Sequence, residues 1–91
     1  MDQGILNNYL VINLARQIAI NQHKDPGFNR REFIESQLVI VKEVLKILEL
    51  GMDGFKMDNN LIAVRELQPD VKRYNEYLRY LTASLRDQDQ D

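Results

Sequence analysis

From position 34 onward, apolar residues recur at alternating spacings of four and three: Ile34, Leu38, Val41, Leu45 and Leu48. That period lays one stripe along an α-helix. Asn29 stands three residues before Glu32, a capping pair that predicts a helix starting near Arg30. Gly51 stands where a left-handed residue commonly follows a helix, and predicts its end. At about 100° per residue, Phe33, Ile40, Val44 and Ile47 lie beside the first stripe and widen it to roughly half the circumference. Glu35, Lys42, Glu43, Lys46 and Glu49 take the other side. A helix with so broad an apolar face is expected to touch at least two neighbours.

Toward the C-terminus, Val71, Tyr74, Leu78, Leu81 and Leu85 form a second seam, and Pro69 suits the first position of the helix that carries it. Between the two seams a shorter helix containing Leu61, Ile62, Val64 and Leu67 can be capped by Asp58 or Asn59. The pattern permits either two helices here or one that continues through Pro69 with a kink.

The first segment differs. From Gln3 to Gln22 it carries one charge, Arg16, and its apolar residues point in nearly every direction on a helical wheel. Part of "YLVINLA" has the β-branched content of a strand, but nothing else in the chain offers a strand to pair with it. A helix that is apolar all round is normally buried all round, which four helices of this length scarcely achieve alone. A homodimer closed through this segment, with Ile5, Tyr9, Ile12 and Ile18 at the interface, solves the problem. The expected fold is therefore all-α, a small antiparallel bundle of three to four helices that dimerises. Residues 1–86 are expected to form the domain, and residues 87–91 a disordered acidic tail.

Composition narrows the functional classes. Ninety-one residues hold one domain near the size where a single core becomes marginal. The formal charge of -2 gives no general pull toward nucleic acid or anionic membrane. Cysteine is absent, which removes disulfides, thiolate ligands and a cysteine nucleophile. Polar residues interrupt the N-terminal apolar run in a manner unlike a signal peptide, and no run of about 18 apolar residues suits a membrane span. A cytoplasmic location is expected.

The stretch "GMDGFKMDNN" resembles a metal loop, yet a helix-loop-helix calcium site needs oxygen ligands at loop positions 1, 3, 5 and 12. Counting from Asp53 puts Phe55, Met57 and Val64 at the last three of these; counting from Asp58 puts Pro69 at the last. Neither register works, so no metal is expected. His23 is the only histidine and lies in a polar loop; no motif joins it to Ser36, Thr82 or Ser84 as a nucleophile set. No catalysis and no cofactor are expected.

What remains is interaction. Tyr80, at the margin of its helix's apolar face, with Arg73 and Arg79 beside it, is the candidate partner-contacting cluster, because rigid amphipathic aromatics are enriched at interfaces. Lys72, Arg79 and Arg86 recur every seven residues and could meet phosphates; the helix after Asp58 could also be read as a DNA-contacting element. Glu76 and the acidic tail dilute that basic row. The leading expectation is a small protein–protein interaction module, a regulator, adaptor or inhibitor acting as a homo-oligomer, with a small nucleic-acid-binding regulator as the alternative.

Overall fold

The computed structural model describes residues 8–89, which form three helices and, among the described residues, no strand. They are α1 (Tyr9–Lys24), α2 (Arg30–Met57) and α3 (Leu61–Asp89). The long helices α2 and α3 form an antiparallel hairpin, and α1 packs chiefly against α3. At 1.5 Å per residue the 28 residues of α2 span about 42 Å, which accounts for most of the 51 Å long dimension. The 16 residues of α1 span only about 24 Å, little more than half of the hairpin.

Asn8 starts α1 and ties it to α3. Its Oδ1 accepts from the Leu10 amide at 3.0 Å, and its Nδ2 donates to the Arg73 carbonyl at 2.9 Å. The side chain is nearly sealed from solvent, and both ends of its amide are satisfied. His23 and Lys24 occupy the last turn, where positive charge suits the helix dipole. The connection to α2 is a tight turn in which the Phe28 amide donates to the Asp25 carbonyl at 3.0 Å. Pro26 at its second position presets the required φ, and the Asp25 carboxylate accepts from the Gly27 amide at 2.9 Å. The Phe28 ring then packs against Phe33 in the first turn of α2, with centroids 5.6 Å apart.

Helix α2 begins at Arg30, as the capping pair predicts: Asn29 Oδ1 accepts from the Glu32 amide at 3.1 Å. It does not stop at Gly51. Both Gly51 and Gly54 lie inside α2, and neither has a positive φ. Glycine weakens a helix interior by only about 1 kcal/mol. Here Leu48, Met52 and Phe55 continue the core-facing stripe past it and are all partly buried, which overrides that weak preference.

The stop comes at Asn59, among the described residues the one non-glycine residue with positive φ, at 57°. Its amide donates to the Lys56 carbonyl at 3.1 Å, and the Asn60 amide donates to the Phe55 carbonyl at 2.8 Å. Those two bonds are the Schellman pattern around a left-handed residue. Asn60 also caps α3, its Oδ1 accepting from the Ala63 amide at 3.2 Å. The cap is thus Asn60 rather than Asp58 or Asn59, because Asn59 is already used in ending α2.

Beyond this turn the chain is one helix, with Pro69 inside it. A proline there costs the Arg65 carbonyl its hydrogen bond. Arg65 and Pro69 are both exposed, so the break falls on the solvent side while Val64, Leu67 and Val71 keep facing inward. The same helix continues through Asp89, so the first residues of the acidic tail are helical.

The core joins all three helices: Val11 and Leu14 of α1, Ile34, Val41 and Leu45 of α2, Tyr77 and Leu81 of α3. Ile34 and Leu81 are fully enclosed. This is the seam expected from the spacing, with Leu38, Tyr74, Leu78 and Leu85 around its edge.

Candidate functional site

Of the four residues assigned to a dimer interface, the three that are described do not share one face. Tyr9 and Ile12 lie on the outer side of α1, each about half exposed. Ile18 turns inward and packs against the core. Ile5 lies outside the described residues. The surroundings of α1 therefore differ from those of a helix buried all round: Tyr9, Ile12 and Ile20 face solvent, while Val11 and Leu14 fill the groove.

The cluster assigned to a partner also divides. Arg73 holds α1 in place, with its guanidinium 4.8 Å from the centre of the Tyr9 ring and an ion pair to Asp70 at 3.2 Å. Tyr80 is half-buried against the core. Arg79 is exposed and lies about 100° around α3 from Tyr80. It borders an open groove of about 550 Å³ along α3 that reaches Arg86. Lys72, Arg79 and Arg86 are all exposed, and Lys72 and Arg79 share a shallow hollow with Asn75 and Glu76, so the basic row carries an acid within it.

Two of the hydroxyls considered for catalysis are engaged locally. Ser36 donates to the Phe33 carbonyl at 2.7 Å and Thr82 to the Leu78 carbonyl at 2.9 Å, so each hydroxyl is bonded to its own helix. Among the described residues, no three His, Asp or Glu side chains gather as a metal site. None of the helices there is long and apolar enough to cross a membrane. One group is electrostatically distinctive: burial raises the Tyr77 phenol above its ordinary 10.0, with Tyr74 and Tyr80 adding to the effect.

What the packing leaves open is apolar. Arg73, where α1 begins, lies 12 residues beyond Leu61, so about 18 Å of the hairpin extends past α1. Among the described residues no third element covers that half. On α2, Ile40 and Ile47 are 53% and 67% exposed, with partly buried Val44 between them and exposed Gly51 and Gly54 beyond. The row Gln37, Ile40, Val44, Ile47, Gly51, Gly54 repeats at spacings of three and four, roughly 100° around α2 from the core seam. Val39 and Leu50 stand exposed on its outer margin, and Met57, Leu61 and Ile62 at the hairpin end. The breadth of the apolar face was visible in the sequence. Its missing neighbour was not, because spacing alone does not tell how far α1 reaches.

No protein-family model, curated protein or solved structure matches the chain. Geometry alone defines its class: a three-helix protein whose long hairpin is only half covered by its short first helix.

Proposed function

We propose that this chain is a small protein–protein interaction module, a regulator, adaptor or inhibitor that acts as a homo-oligomer and performs no catalytic step. The observation that carries this proposal is the exposed apolar row on α2 and at the hairpin end, where Ile40, Ile47, Leu50 and Ile62 each expose more than half of their surface. A contiguous apolar patch rimmed by charge is the usual mark of a surface that binds protein. The rim here is Glu43, Lys46 and Arg65.

The test is solution mass by light scattering over a wide range of protein concentration. The expected result is a concentration-dependent rise from one chain to two. A mass of one chain throughout removes the homo-oligomer.

A further inference from the structure

Resting on the homo-oligomer proposed above, we infer that a second copy pairs with this one through α2, antiparallel about a two-fold axis near residue 45. The seam is the row that no described element covers.

The first reason is shape. The row is bulky at its N-terminal end and bare at its C-terminal end, running Gln37, Ile40, Val44, Ile47, Gly51, Gly54. Turned end for end on itself, it sets Ile40 over the partner's Gly51 and Gln37 over the partner's Gly54. Val44 then meets the partner's Ile47 at the centre. A Cβ on Gly54 would meet nothing within 4 Å, and one on Gly51 would meet only Leu67, at 4.0 Å. The space above both glycines is open to a neighbour, and glycine lets two helices approach closely. A parallel pairing would set bulk on bulk at one end and leave a void at the other.

The second reason is the margin. Val39, Glu43, Lys46 and Leu50 line the side of the row away from α3, and all four are exposed. The same antiparallel arrangement leaves Glu43 and the partner's Lys46 about 3 Å apart along the axis, two residues out of the seam's register, and the same holds for Val39 and the partner's Leu50. Opposite charges and apolar residues therefore stand near one another across the margin, which tolerates the seam's register without setting it.

The third reason is length. The uncovered part of the hairpin is about 18 Å, close to the reach of the 16-residue α1. A two-fold axis near residue 45 carries the partner's α1 to that uncovered end. There its outward side, Ile20 in particular, lies at the level of Leu61 and Ile62. Each copy's exposed α1 face and each copy's open groove cover one another, and heterologous growth into fibres is avoided because the contact is isologous.

The test uses the full chain in two arms, both read against the wild-type mass. Ile47→Glu is expected to raise the dimer dissociation constant by on the order of 100-fold, since both copies lose a buried isoleucine. Its helical circular dichroism should stay unchanged, because Ile47 is outside the core. Arg79→Glu, on the far side of α3, should leave the dimer intact. Single spin labels on Glu35→Cys, Glu49→Cys and Lys56→Cys, all away from the seam, then read the register. Glu35 and Lys56 each lie roughly 10 residues from the axis and give pairs about 30 Å apart along it; Glu49 gives pairs about 10 Å apart. A wild-type dimer that survives Ile47→Glu, or label distances that are equal at all three positions, overturns the α2 pairing while the homo-oligomer stands. A wild-type chain that stays monomeric overturns both.

Discussion

Replacing Gly51 and Gly54 by alanine tests the least obvious feature of the fold, the passage of α2 through two glycines. If Gly51 ended the helix in a left-handed conformation, alanine there would be strained by about 1–2 kcal/mol. Inside the helix the sign reverses. Neither glycine has positive φ, and an added Cβ meets open space at Gly54 and an ordinary van der Waals contact with Leu67 at Gly51. Alanine then gains the full propensity difference, about 0.8–1 kcal/mol at each site.

Both sites are exposed and helix propensity acts residue by residue, so the pair should stabilise by about 1.5–2 kcal/mol. For a chain of this size that corresponds to a rise in Tm of about 6–16 °C. The assay is thermal and urea unfolding followed by far-UV circular dichroism. It should be run in the Ile47→Glu background, so that any change in self-association does not enter. A fall in stability for Gly51→Ala would refute the continuous helix and restore a helix end at that position.

Other perturbations follow from the same packing. Ile34→Ala and Leu81→Ala empty fully enclosed sites and should each cost about 2–5 kcal/mol in urea unfolding, whereas a loss below about 1 kcal/mol would mean the three helices do not share that core. Asn8→Ala removes a cap and the bond to the Arg73 carbonyl; hydrogen exchange should show the amides of α1 losing about 1–2 kcal/mol of protection while those of α2 hold theirs. Pro69→Ala restores a backbone bond on an exposed face and should stabilise by up to about 3 kcal/mol by the same unfolding measurement, and no gain would mean that α3 is already bent to suit the proline. The folded state holds the Tyr77 proton more tightly than the unfolded chain does. Its contribution to stability is therefore intact below about pH 10 and lost as pH rises through the raised value; Tyr77→Phe should flatten that alkaline decline in unfolding free energy.

The sequence carried some of these features more clearly than others, and the difference has a physical basis. The start of α2 was legible because Asn29 and Glu32 act within one turn, and the outcome depends on nothing distant. The core seams were legible for the same reason: the spacing of Ile34, Val41 and Leu45, or of Tyr74 and Leu81, fixes a face whatever lies opposite. The ends of elements were harder. A glycine's preference of about 1 kcal/mol competes with the burial of several large side chains beyond it, and Leu48, Met52 and Phe55 prevail over Gly51. Asn59 and Asn60 offered the true stop, but three polar residues in a row gave no local reason to prefer one as cap.

The candidate surface lay between these cases. That Ile40, Val44 and Ile47 made α2 wider than one neighbour requires was plain from the sequence. Where that width would remain unmet depended on the position of Arg73 along α3, since its carbonyl holds Asn8 and its guanidinium covers Tyr9. In sequence, its charge and the tyrosine seven residues on place Arg73 in a partner-contacting cluster. In the fold it is an internal fastening that marks where α1 begins along the hairpin, with Leu61 and Ile62 beyond its reach. Helix α1, apolar in nearly every direction, satisfies one side of itself within its own chain. Further exposed apolar residues lie along the outer face of α2, where a row that starts with Gln37 and Ile40 ends in Gly51 and Gly54, and the proposed antiparallel copy supplies the complementary shape.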